Sequence, residues 1–162
     1  DARAFDALFA RHVGQVRAYL LRLTGSGASA DDLTQATFLS VVKARGRFMR
    51  DAAFKPWLYA IATNAARDLY RRRRGEELSA EPPVTEVAEP VVKDEGLERQ
   101  VQQALTQLPE AQRSAIVMHR FEGMSFAEIA AALGVSEGAV KVRAHRGYER
   151  LRELLRGVWG AS

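Results

Sequence analysis

Between Gly75 and Gly96 the chain holds three prolines, seven acidic side chains against one lysine, and no aromatic residue. A stretch of that composition cannot bury enough apolar surface to offset the entropy of ordering it, so it is expected to behave as a mobile connector. Its 22 residues would span about 25 Å as a random coil. Whatever the 162-residue chain folds into must then be built from two short halves. Charge follows the same division. Residues 1–75 carry 14 basic and 6 acidic side chains (+8), residues 76–96 carry 1 and 7 (−6), and residues 97–162 carry 9 and 7 (+2). The overall +4 conceals two basic halves around an acidic spacer. Basic surfaces favour phosphate backbones, anionic lipid or acidic proteins, so charge alone does not name the partner.

Both halves read as helix. Phe5, Leu8, Phe9, Val13, Val16, Leu20 and Leu23 recur at three- and four-residue steps up to Gly25-Ser26-Gly27, which marks one apolar helical face. A second helix is expected after Ser29, with Asp31 and Asp32 in its first turn, where negative charge suits the positive end of the helix dipole. A third is expected from Phe54 to Arg74, with Phe54, Trp57, Leu58, Ile61, Ala62, Ala65 and Leu69 on one face and Pro56 tolerated in its first turn. Beyond the connector, Leu97, Val101, Ala104, Leu105 and Leu108 mark another helix stopped by Pro109, and shorter helices are expected over 110–121, 125–133 and 137–156. No segment alternates with period two. The expected fold is all-α: helical domains at 1–75 and 97–162, joined by the flexible acidic linker 76–96. No stretch approaches the roughly 20 apolar residues that cross a bilayer, and Asp1-Ala-Arg-Ala holds no apolar signal core, so neither membrane insertion nor a targeting segment is expected. Without cysteine, and with His12, His119 and His145 far apart in sequence, no disulfide, metal site or cofactor is expected.

Residues 125–151 carry a helix-turn-helix pattern. Ser125 and Ser136 can each cap a helix, Gly134 supplies a left-handed residue between them, and Ile129, Ala130, Leu133, Val135 and Val140 would pack the pair. At 100° per residue, Val140, Ala144, Gly147 and Leu151 of the second helix point to the core. Lys141, Val142, His145 and Arg146 share the opposite face with Gly138, near the end of the helix that enters a major groove. Arg150, Arg152 and Arg156 lie further along and read as a solvated cationic face.

In the first half, Tyr59, Thr63, Arg67, Tyr70, Arg71 and Arg74 lie opposite the apolar stripe of the third helix, with Asn64 and Asp68 at the boundary. Aromatic rings interleaved with arginines suit stacking on unpaired bases and pairing with their phosphates, although Arg73 and Arg74 equally suit a helix C-terminus. The preceding loop, Gly46 to Ala53, includes Phe48 and Arg50 and could hold an extruded base. On the second helix, Asp32, Gln35, Ala36, Leu39 and Lys43 form an outward strip, while Leu33, Phe38, Val41 and Val42 can face inward. Leu39 among polar neighbours suggests a protein contact.

Together these pieces resemble the extracytoplasmic-function (ECF) sigma factors, the minimal branch of the sigma-70 superfamily. The resemblance rests on Asp31 to Leu39, on Phe54 to Asn64 with Asp68, Arg71 and Arg72, and on Leu108-Pro109-Glu110 through Leu155. It implies a bacterial, cytoplasmic, non-catalytic protein that binds core RNA polymerase, promoter DNA and an anti-sigma factor. Asp32, Gln35 and Leu39 would dock on the clamp helices of the largest polymerase subunit. Phe48, Arg50, Asn64, Arg67 and Arg71 would open and hold the −10 element, and Lys141, Val142, His145 and Arg146 would read the −35 element. Three positions depart from the family pattern: Ala36 stands where a carboxylate is usual, Val142 where a small polar residue is frequent, and Ala144 where a larger aliphatic is common.

Other functions fit less well. A free-standing helix-turn-helix regulator would bind its operator tightly without polymerase. A metal-dependent nuclease would need Asp31, Asp32 and Asp51 to converge, yet adjacent carboxylates on a helix point about 100° apart. An adaptor that binds only protein would leave both basic faces incidental.

Overall fold

The structure is a computed structural model that describes residues 2–44, 54–78 and 96–159. Seven α-helices follow in chain order among these residues: α1 (Ala2–Thr24), α2 (Gly27–Ala44), α3 (Phe54–Leu78), α4 (Leu97–Thr106), α5 (Glu110–Ile116), α6 (Phe126–Leu133) and α7 (Glu137–Trp159). No strand occurs among them. The helix expected over 110–121 changes character midway, widening after α5 into a π-turn at Val117–Phe121. The wider turn closes with Glu122 N–H on Val117 O at 3.2 Å and Met124 N–H on Met118 O at 3.1 Å, and both methionines are buried.

Local chemistry sets the boundaries. Gly25 ends α1 with φ at +72°, and its N–H reaches Leu21 O at 2.8 Å. Helix α2 starts earlier than the sequence suggests, because Ser26, not Ser29, caps it: Ser26 Oγ accepts from Ser29 N–H at 3.2 Å. Asp31 therefore lies beyond the first turn and pairs with Arg17 at 2.6 Å. Ser29 is buried and receives an Arg73 guanidinium hydrogen at 2.7 Å, which ties α2 to α3. Helix α3 continues to Leu78, past Arg74 and into the segment read as connector; the rest of that connector, through Glu95, lies outside the described residues.

Helix α3 also departs from its expected orientation. Tyr59 and Thr63, placed on a solvent face by the sequence, are fully buried. The Tyr59 ring meets Tyr19 edge-on at 5.0 Å; Tyr19 O–H donates to Thr63 Oγ1 at 2.8 Å, and Thr63 donates onward to Tyr59 O at 2.7 Å. Burial pushes both phenols well above their ordinary range, so they remain protonated donors at neutral pH. The physical reason is that α3 is packed on two sides. It packs on α1 and α2 within its own half and on α6 of the other half.

As a result the described parts of both halves share one contiguous apolar core. Val16, Leu20, Leu23, Leu58 and Ala62 join Leu105, Leu108, Met118, Met124 and Ile129 in it. Within the second half α7 packs on α5 at Gly147, where an added Cβ would lie 2.3 Å from Ile116 Cδ1 and 3.4 Å from Gln112 Cβ. Gly147→Ala should therefore be destabilising although alanine favours helix, since overpacking costs about 1–3 kcal/mol against a propensity gain of about 1 kcal/mol. A chemical denaturation midpoint equal to or above wild type would contradict this packing.

Candidate nucleic-acid interface

The α6–α7 corner is built by its caps. Ser125 Oγ accepts from Glu128 N–H at 3.1 Å while Glu128 Oε1 accepts from Ser125 N–H at 3.0 Å, a reciprocal capping box. The bond from the Ser125 backbone holds the Glu128 carboxyl below its usual pKa, so this cap persists at neutral pH and is lost as pH falls through that lowered value. Gly134 takes φ +68°, and both its N–H and that of Val135 turn back to Ala130 O. Ser136 Oγ then accepts from Ala139 N–H at 3.1 Å and starts α7. Val140, Ala144 and Gly147 are buried beneath that helix. Lys141, Val142, His145 and Arg146 are all exposed on it, as the sequence anticipates. Lys141 approaches Glu137 at 3.7 Å and His145 approaches Glu149 at 3.0 Å. Exposed pairs of this kind are worth little, so both groups can be redirected to phosphates.

The residues proposed for unpaired DNA on α3 fare unequally. Asn64 is exposed, and Arg71 is exposed and pairs with Asp68 at 2.6 Å. Arg67 is half-buried and donates to Glu110 Oε1 of α5 at 3.1 Å, so it faces the other half and not solvent. Phe48 and Arg50 lie outside the described residues. Of the remaining arginines near the end of α3, Arg72 and Arg74 are exposed.

On α2, Asp32, Gln35, Ala36, Leu39 and Lys43 form the expected exposed strip, with Leu39 55% exposed. Val42, expected inward, is 40% exposed. It lines, with Phe9, Val13, Phe38 and Leu39, a groove of about 420 Å³ between α1 and α2. Leu39 is therefore one wall of an apolar cleft. Sequence reasoning missed this cleft because it assigned Phe9 and Val42 to the core; the three-residue step from Leu39 to Val42 was the available signal.

Known proteins with the same arrangement identify it. Residues 8–76 match the model of sigma-70 region 2, and residues 98–151 match that of sigma-70 region 4. The RNA polymerase sigma factor CarQ of Myxococcus xanthus is 48% identical over 155 residues, covering 94% of this chain and 89% of its own. The ECF RNA polymerase sigma factor SigM of Mycobacterium tuberculosis is 40% identical over 96% of this chain and 79% of its own. The chain belongs to the ECF sigma factors. Among solved structures, the sigma factor RpoE in complex with the anti-sigma factor NepR from Bartonella quintana superposes with a TM-score of 0.86 at 26% identity, covering 95% of this chain and 98% of that one. CnrH in complex with the cytosolic domain of CnrY gives 0.74 at 35% identity, over 97% and 90%.

This sigma factor directs promoter-specific initiation by RNA polymerase, a reading the relatives support over the free-standing regulator. Among the described residues no cluster of three or more His, Asp or Glu could hold a metal, and no helix is long and apolar enough to cross a membrane. Its two regions are latched together by polar contacts absent from the sequence reading. Lys55 Nζ donates to Glu122 O at 2.6 Å, and Tyr59 O–H donates to Glu122 Oε2 at 2.7 Å. Gln102 donates to Arg22 O at 3.0 Å, while the Arg22 guanidinium lies 4.4 Å from the centre of the Phe121 ring. Arg113 donates to Leu23 O at 2.8 Å and reaches Tyr70 O–H at 3.4 Å. Glu110→Ala combined with Glu122→Ala should loosen this closed form without changing helix content. Small-angle scattering should show a larger radius of gyration for the double variant, and an unchanged radius would mean that apolar packing alone holds the regions together.

Proposed function

We propose that the sigma factor divides its work among three surfaces on two domains, residues 1–75 and 97–162, with 76–96 as the connector. Lys141, Val142, His145 and Arg146 read the −35 element, and Asp32, Gln35 and Leu39 dock on the clamp helices of the largest polymerase subunit. Asn64, Arg67 and Arg71, with Phe48 and Arg50, open and hold the −10 element. The observation that carries this reading is the narrow exposed face of α7, where two cationic side chains, a histidine and one apolar side chain stand on a corner fixed by four cap interactions. The protein acts by binding, in the bacterial cytoplasm, and leaves the chemistry to the polymerase. An anti-sigma factor is a further partner, as for the Bartonella quintana relative.

The closed form cannot make both promoter contacts at once. Elements centred at −35 and −10 are about 25 base pairs apart, or ~85 Å along the duplex. A compact chain of 162 residues has a radius of gyration of about 15 Å and a breadth of about 40 Å. Promoter engagement therefore requires the regions to separate, which releases Arg67 from Glu110 and frees it for DNA.

Lys141→Ala with Arg146→Ala should weaken promoter recognition. Where the truncated side chain meets a base edge, the change should cost about 1–3 kcal/mol and relax preference at one position; where it meets a phosphate, the salt slope should fall by about one. In vitro transcription with purified core polymerase tests this, and normal output from the double variant would remove α7 from the reading role. Asp32→Arg with Leu39→Glu should abolish association with core in a pull-down while leaving circular dichroism unchanged. Normal core binding by that variant would move the docking surface elsewhere.

A further inference from the structure

The exposed face of α7 holds one large apolar side chain, Val142, at 48% exposure among Lys141, His145 and Arg146. Its exposure has a local cause. A helical side chain leans toward the N-terminus and covers the turn before its own Cα, and for Val142 the residue one turn back is Gly138, which offers no side chain. A Cβ built at Gly138 would meet only Ser136 Oγ, at 4.0 Å. Of the residues one turn further on, His145 is engaged with Glu149 and Arg146 is exposed, so neither closes over the valine. The isopropyl group therefore stands about half exposed beside the turn that Gly138 leaves without a side chain. Its β-branched χ1 is essentially fixed in a helix, so its methyl groups are held in place before any ligand arrives.

We infer that Val142 makes this sigma factor read the C5-methyl group of a thymine at one position of the −35 element. The inference rests on α7 being the −35 reading helix. Valine has neither donor nor acceptor, so it cannot read the hydrogen-bonding edges of bases. The apolar feature of a base pair in the major groove is the thymine methyl. Flanking Lys141 and Arg146 supply the phosphate or purine contacts that bring the valine to the base, and they act independently of the methyl.

The test uses the full chain with core polymerase and a promoter selected from a library. Each thymine of the −35 element, on either strand, is replaced singly by deoxyuridine, which removes the methyl group and leaves the hydrogen-bonding edge intact. For wild type, one position should lose about three- to five-fold in promoter affinity, as expected for one buried methyl-sized group, and the other positions should be unaffected. Val142→Ser should bind the thymine promoter more weakly and become indifferent to uridine at that position, and Val142→Ala, which keeps one methyl group, should show a reduced uridine effect there. Because Val142 is exposed, both variants should fold, and unchanged circular dichroism checks this. Uniform tolerance of uridine by wild type, a selected −35 element with no fixed A·T pair, or a uridine effect of full size in both variants would each overturn the inference. Equal transcription from a promoter with a scrambled −35 element would instead remove the parent reading of α7, so the two failures are distinguishable.

Discussion

One guanidinium organises the centre of the molecule. Arg113 of α5 donates to Leu105 O, Thr106 O and Leu108 O, which close the end of α4 and the turn into α5, and to Leu23 O at the end of α1, with Tyr70 O–H of α3 at longer range. Five acceptors from three separate stretches of chain converge on one planar, permanently charged group. Three of those oxygens belong to the turns that end α1 and α4, where the helix dipole is negative, so cation and carbonyls suit each other twice. Lysine could not replace it, since a single ammonium cannot address a fan of carbonyls. Without this group the α4–α5 turn would keep only its main-chain bonds, and the polar ties left between α1 and region 4 would be Gln102 at Arg22 O and Arg22 against Phe121.

Much of this was readable in the sequence where the signal was local. The α6–α7 corner was legible because its determinants are short-range: two serines, a glycine and a 3.6-residue pattern specify caps, turn and buried face within 27 residues, from Ser125 to Leu151. The exposed strip of α2 was legible for the same reason. Tyr59 and Thr63 were misplaced because a helix packed on both sides presents two stripes, and the second is made of hydroxyl-bearing residues that look solvent-directed until their partners are known. Those partners, Tyr19 and Glu122, lie 40 and 63 residues away from Tyr59. Arg113 carried no signal in the sequence, since its acceptors are mostly main-chain oxygens and main-chain oxygens have no sequence signature. The start of α2 was displaced because two serines three residues apart could each cap it, and only the structure shows that Ser29 is occupied by Arg73.

The electrostatic layout separates holding from reading. Cations that fix the fold, Arg113 and Arg73, are part-buried and satisfied by oxygens of the chain itself. Lys141 and Arg146, with His145 beside them, are exposed, and Lys141 is held only by a weak pair one helical turn away. Arg67 sits between these classes, since its partner Glu110 belongs to the opposite region. Net charge conceals this distinction, which is visible only in what each cation touches.

The contiguous core has a thermal consequence. Separating regions 2 and 4 uncovers apolar side chains that the closed chain buries, such as those where α3 meets α6, and exposing apolar surface raises the heat capacity. The hydrophobic part of the attraction between the regions therefore weakens on cooling. The main-chain carbonyl ties at Leu23, Arg22 and Glu122 carry no net charge on the acceptor side, so added salt screens them little. Salt acts instead on the part-exposed Arg67–Glu110 pair, so for the free protein temperature and ionic strength loosen different parts of the same closure.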